Sequence, residues 1–277
     1  MTQPIRLGIS TCPNDTFAFH GLLTRVVDWR GLDFQIELLD VETLNERLLA
    51  GDFDVCKASF HAALLAATDV VVLPSGSALG FGVGPLLLAA QPGMRPTHAG
   101  QLTLCPGRHT TASLLFDLFY PRTSRVEQVV FSEIMPRLAG RTADFGVCIH
   151  EGRFTWQSQG LAVVEDLGTR WESATGCPLP LGGIVASRRL PATTIATVQR
   201  VIHDSLALAL RDRSAALPTM RAHAQEFDDR VLMQHVDLYV NDWTIDLGDT
   251  GARAIDELST RAASLGLAAG RLEVFAG

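Results

Sequence analysis

The 277-residue chain is 47% hydrophobic and 19% charged with a net charge of −7, which allows one large domain or two ordinary ones at ~100–200 residues each and excludes a disordered or collagen-like polymer. The acidic balance and the lack of any Lys/Arg cluster argue against a nucleic-acid surface. No apolar run reaches the ~18–20 residues of a membrane span, the longest candidate, 62–73, being cut by Asp69. The N-terminal stretch has no basic segment ahead of a long apolar core, so no secretory signal is expected. The cysteines (Cys12, Cys56, Cys105, Cys148 and Cys177) are odd in number, widely spaced and without a CxxC pair. That usage fits a reduced cytoplasmic protein with no metal site.

In chain order, residues 5–9 predict a first strand, and Asp15 or Thr16 is placed to cap a helix carrying Phe17, Phe19, Leu22 and Leu23. Residues 34–39 predict a strand with Phe34, Ile36 and Leu38 inward. A helix over 43–50 is stopped by Gly51, and strands follow at 53–56 and 70–73. The pattern then starts again, with a strand at 102–105, a helix at 110–119 and a strand at 126–131. A helix at 132–139 is stopped by Gly140, and a strand covers 145–149. Beyond Pro191 the spacing is helical: Ile195, Val198, Ile202 and Leu206, then Val231, His235 and Leu238, then Ile255, Leu258 and Ala262. Alternating strands and helices predict an α/β fold with a largely parallel sheet.

Leu49-Ala50-Gly51 followed by Phe53-Asp54-Val55-Cys56 resembles Leu138-Ala139-Gly140 followed by Phe145-Gly146-Val147-Cys148, apart from a three-residue gap. The likeness predicts two related α/β lobes. Residues 1–91 and 184–277 form the larger, discontinuous one and 92–183 the smaller, inserted one, with 84–90 and 182–186 as hinge strands. Ligands of open α/β sheets bind beyond the carboxyl ends of strands. The strand ends at Lys57–Ser59 and at His150–Glu151 would then face each other across an interdomain cleft.

Several segments carry candidate chemistry, each with a plainer alternative. His150 follows an apolar strand directly; it is either a hydrogen-bonded structural residue or the best candidate base, since imidazole exchanges a proton near neutral pH. Glu151 could orient that ring or cap a turn, and Arg153 could hold an acid or sit in a surface pair. His150-Glu151-Gly152-Arg153-Phe154 begins like a zinc motif, but Phe154 occupies the second ligand position, so no metal is expected. The run from Cys105 to Ala112 passes from a strand end to a helix start, where free N–H groups and the hydroxyls of Thr110 and Thr111 suit a carboxylate or phosphate, or serve only as an N-cap. Lys57 is either a ligand contact or a solvated strand end. Asn14 and Asp15 lie in a loop that is a usual ligand position, though Asx capping explains them equally. Gly80-Phe81-Gly82-Val83-Gly84 lacks the following helix of a dinucleotide fingerprint and reads as a hinge.

Taken together, these segments resemble the 1,4-dihydroxy-6-naphthoate synthase family of the futalosine-type menaquinone pathway. The matching pieces are Cys12-Pro13-Asn14-Asp15-Thr16-Phe17, Asp40-Val41-Glu42-Thr43-Leu44-Asn45, Lys57-Ala58-Ser59 and Leu79 to Leu86. They continue with Pro106-Gly107-Arg108-His109-Thr110-Thr111-Ala112, Ile149-His150-Glu151-Gly152-Arg153-Phe154-Thr155 and Leu179-Pro180-Leu181-Gly182-Gly183, and Tyr239-Val240-Asn241 extends them. The resemblance implies a two-lobed, periplasmic-binding-protein-like type II fold used for catalysis, with no cofactor. It implies cyclic dehypoxanthine futalosine as substrate, His150 as proton acceptor, and Lys57, Ala58, Ser59, Thr110 and Thr111 as substrate contacts. Cys56 departs from the family's usual Thr. A chorismate dehydratase would share the fold but lack the His-Glu-Gly-Arg-Phe segment, and a non-catalytic small-acid-binding protein would carry an export signal.

Overall fold

The computed structural model describes residues 3–149, 152–223 and 228–277. In chain order its strands are β1 (Ile5–Ser10), β2 (Phe34–Leu39), β3 (Val55–Ser59), β4 (Val70–Val72), β5 (Ala78–Gly80) and β6 (Leu86–Ala89). They continue with β7 (Leu102–Cys105), β8 (Arg125–Gln128), β9 (Phe145–Cys148), β10 (Ala162–Asp166) and β11 (Leu179–Ser187).

The strands form two sheets. The first runs β2-β1-β3-β11-β4, with β5 also paired to β11, and the second runs β10-β6-β9-β7-β8. Each holds a parallel trio, β2-β1-β3 or β8-β7-β9, flanked by an antiparallel strand, β11 or β6. The two sheets thus repeat one topology, as the Leu49–Cys56 and Leu138–Cys148 likeness predicts. In both, the strand after the Ala-Gly helix stop lies centrally.

β3 is buried at every position because neighbours cover both its faces. Leu7 and Ile9 of β1 are fully buried, and a Cβ at Gly8 would lie 2.8 Å from Leu44, so this strand packs directly on the Val41–Leu49 helix. That helix is N-capped by Asp40, whose carboxylate accepts from the Glu42 N–H. The 20-residue helix Ala192–Arg211 covers the other face with Ile195, Val198, Val201 and Ile202.

Some elements differ from expectation. The first helix begins at Pro13, with Cys12 as N-cap rather than Asp15 or Thr16. Proline at N1 lacks only an N–H that would be orphaned anyway, and the Asp15 carboxylate is engaged elsewhere. The strand predicted over 126–131 is β8, which stops at Gln128, because Val130 and Phe131 turn into the Phe131–Ala139 helix. Phe34 of β2 is buried, whereas Ile36 and Leu38 are only partly so. β6, inside the segment expected to be a hinge strand of the larger lobe, pairs with β9 and β10 of the second sheet.

The chain leaves the first sheet after Gly80 and returns to it at Leu179. These two crossings touch at Gly84 and Gly168, where a Cβ on Gly84 would lie 2.2 Å from the Gly168 Cα. The obstacle is backbone, which cannot rotate aside. Gly84→Ala is expected to destabilise the fold by about 1–3 kcal/mol through overpacking, read as a lowered urea midpoint at unchanged m-value.

Candidate active site

A cleft enclosing about 750 Å³, open solvent at its mouth included, draws its walls from both sheets. From the first sheet come Ser10 at the end of β1, Lys57–Ser59 at the end of β3, and the Cys12–Asp15 turn. From the second come Thr110, Thr111 and Ala112 at the start of the Thr111–Phe119 helix, and Ile149 just past β9. Parallel strands that end on the same side bring these segments together.

Lys57 is 6% exposed and Asp15 3% exposed, which rules out the solvated strand-end reading. The Lys57 Nζ donates to Asp15 Oδ1 at 2.7 Å and to the Gly76 carbonyl at 3.3 Å. Asp15 also accepts from Ser10 Oγ at 2.5 Å and from Asn14 Nδ2 at 3.0 Å. The charge is therefore compensated on every side, as a buried ion needs. Asn14 and Asp15 form this buried network, and Asp15 caps nothing.

Thr110 is the N-cap expected of it. Its Oγ1 accepts from the Ser113 N–H and donates toward the Gly107 carbonyl at 2.9 Å. The Thr111 hydroxyl donates to the Leu181 carbonyl at 2.6 Å. Both hydroxyl protons therefore go to carbonyls. What the helix start offers an anion is its dipole and the N–H groups of Thr111 and Ala112, which helix geometry leaves without an intrahelical acceptor.

Beneath this turn lies His61, 5% exposed, with Nδ1 3.2 Å from the Thr110 carbonyl and its backbone N–H donating to Thr111 Oγ1 at 3.4 Å. Burial pushes its imidazole down to about 4, outweighing the opposing effect of the carbonyl bond. At neutral pH the ring is uncharged, and Nδ1–H is the tautomer that suits Thr110. Arg153 lines the cleft but donates to the Gly84 carbonyl and to Asp166 Oδ2 at 2.7 Å. Asp166 in turn caps the Leu167–Thr175 helix. Arg153 is thus half-buried and joined to an internal acid instead of lying in a surface pair. His150 and Glu151 lie outside the described residues.

Cys56 is fully buried, with its sulfur toward the Leu44 and Lys57 carbonyls. Desolvation raises its thiol pKa, and the side chain belongs to the same core cluster as Leu44 and Phe53. Among the described residues no three His, Cys, Asp or Glu side chains gather to hold a metal ion. No described helix is long and apolar enough to cross a membrane.

Residues 5–264 match the model of a protein family described as menaquinone biosynthesis. The chain belongs to this menaquinone biosynthesis family. It is 42% identical to the 1,4-dihydroxy-6-naphthoate synthase of Thermus thermophilus, over 96% of this chain and 97% of that one. It is 40% identical to the synthase of the same name from Streptomyces coelicolor, over 95% and 94%. A crystal structure of a protein from Archaeoglobus fulgidus superposes with a TM-score of 0.88 at 28% identity, covering 95% of this chain and 98% of that one. The ligand-binding component of an ABC-type import system from Staphylococcus aureus gives a TM-score of 0.70 at 14% identity, covering 99% and 96%. The last likeness shows the fold, which is that of periplasmic binding proteins.

In this family member two further residues line the cleft: His235, which had only a helical-stripe signal in the sequence, and Tyr239, which had only its place in the Tyr239-Val240-Asn241 piece. His235 and Tyr239 stand one turn apart on the Asp229–Tyr239 helix, their rings edge to face at 4.6 Å. His61 had no signal and Glu42 only its place in the Asp40–Asn45 piece, because the partners of both are distant in the chain.

Two outcomes follow from this geometry. Lys57→Met leaves Asp15 buried without its counter-charge, and a loss of about 3–5 kcal/mol is expected in urea denaturation; the double variant Lys57→Met/Asp15→Leu should lose less than the sum of its single changes. His61 supplies the second. Its folded pKa lies below the ordinary 6.5. The unfolded chain therefore binds the proton first, and stability is full above about pH 6.5 and falls as the pH drops toward 4, by about 3 kcal/mol from this group. His61→Asn keeps a donor near the Nδ1 position and cannot titrate, so its stability should vary less over pH 4–6.5.

Proposed function

We propose that the chain is a carbon–carbon lyase of menaquinone biosynthesis that converts cyclic dehypoxanthine futalosine into 1,4-dihydroxy-6-naphthoate. The observation that carries this reading is the near full-length similarity to two synthases of that name, joined to a cleft that assembles the Lys57–Ser59 and Thr110–Thr111 segments.

The substrate's benzoate-type carboxylate is set at the start of the Thr111–Phe119 helix, where two N–H groups and the dipole favour an anion. Its fused rings lie along the apolar lining of Val41, Val83, Pro85 and Leu181. Lys57, Ala58 and Ser59 hold the opposite side, and Arg153, Asn14 and Asp15 support these contacts. His150 acts as general base, with Glu151 beside it in sequence. Proton removal starts cleavage of the carbon–carbon bond to the sugar-derived fragment, and the aromatic naphthalene that forms drives the step. No cofactor enters. The two lobes, one around each sheet, close over the substrate and exclude water. The reaction is placed in the cytoplasm.

Incubation of the purified protein with cyclic dehypoxanthine futalosine should yield the naphthoate by mass, whereas no product, or dehydration of chorismate instead, would overturn the assignment. His150→Asn cannot accept a proton in the same way and is expected to lose ~10²–10⁴-fold in kcat. Naphthoate binding and Tm should stay near wild type. Turnover of that variant within a few-fold of wild type would remove His150 from the role of base.

A further inference from the structure

Glu42 and Asn45 have no part in the chemistry above, yet they join the two sides of the cleft. Asn45 is fully buried midway along the Val41–Leu49 helix. Its Oδ1 accepts from the Ser59 N–H at 2.9 Å, and its Nδ2 donates to Ser59 Oγ and to Glu42 Oε2, both at 3.1 Å. Glu42 then reaches across to the second sheet's loop. Its carboxylate accepts from the His109 N–H at 3.0 and 3.2 Å, and the His109 Nδ1 lies 3.0 Å from Oε1. Gly107 makes room for it: the backbone there has φ of +106°, and a Cβ would stand 2.7 Å from the Glu42 carboxyl carbon. A hydrogen-bonded chain thus runs Ser59–Asn45–Glu42–His109 and ends one residue before the Thr110 cap.

We propose that Glu42 and Asn45 are positioning residues that fix the separation between the Ser59 end of β3 and the Thr110–Thr111 turn. They touch no substrate. They act by holding two contact segments, one from each sheet, at the spacing of a bound molecule, so that binding does not have to order them. The inference rests on the reading that these segments hold the substrate. The two sides are bridged elsewhere as well, by His61 to Thr110 and by Thr111 to Leu181. Removing the Glu42 carboxylate therefore loosens the spacing without separating the sheets.

Three variants, E42A, E42Q and S59A, test it in the naphthoate-forming assay with Tm measured alongside. E42A is expected to raise KM roughly 10- to 100-fold, the scale of lost hydrogen bonds to a charged group. Its kcat should stay within about threefold and its Tm near wild type. E42Q keeps an acceptor oxygen for the His109 N–H and should recover most of the loss. The double variant E42A/S59A should lose less than the product of the single effects, because both residues belong to one network. An unchanged KM in E42A, with KM raised in S59A, would overturn the positioning role and leave the substrate reading standing. An unchanged KM in S59A would instead remove Ser59 from the substrate site, and the inference would fall with it.

Discussion

An ammonium group inside a protein must find compensation on every side, and here that requirement organises the cleft. Covering β3 on both faces takes Lys57 out of water. Its charge needs a carboxylate, which Asp15 supplies from the turn after β1. Asp15 in turn needs donors, found in Ser10 and Asn14. The helix that starts at Pro13 with Cys12 as its cap carries that one carboxylate to that one ammonium at the cleft floor. Such a pair contributes little net stability once desolvation is counted, but it leaves the two strand ends a single mutual arrangement.

The second sheet repeats the first sheet's strand order with different chemistry at the corresponding place. Where β3 ends in Lys57, Ala58 and Ser59, β9 ends in Cys148 and leads through Ile149 into the segment containing His150. The central strand of each trio leads into a helix start at the cleft: β1 into the one that carries Asp15, and β7 into the one capped by Thr110. One topology used twice thus presents a buried ion pair on one wall and a helix N-terminus on the other.

What could be read from the sequence was what depends on near neighbours in the chain. Apolar runs located the strands, Gly51 and Gly140 marked helix stops, and the Thr110 cap followed from a hydroxyl residue between a strand and a helical pattern. The burial of Lys57 could not be read, because its partner lies 42 positions away and strand-end lysines are usually solvated. The same distance misled the helix start: Asp15 is a good capping residue by type, and only the folded chain shows its carboxylate committed to Lys57. The Thr111 hydroxyl was legible as a polar group at a helix start, but its acceptor, the Leu181 carbonyl, comes from a strand 70 residues on. His235 sat in a helical stripe with Val231 and Leu238, where nothing local separates a core histidine from one at a cavity wall.

The pairing of charges around the cleft bears on how it would meet the carboxylate of the proposed substrate. Lys57 is matched by Asp15 and Arg153 by Asp166, so these two cations bring no net charge to the described wall. What this wall would offer an anion is oriented N–H groups and a helix dipole, whose field is short-ranged and acts within the first turn. Dissolved salt screens charges separated by more than a Debye length of about 8–10 Å and hardly touches a contact made inside a partly enclosed wall. A wall built this way would select a ligand at contact rather than draw it from afar.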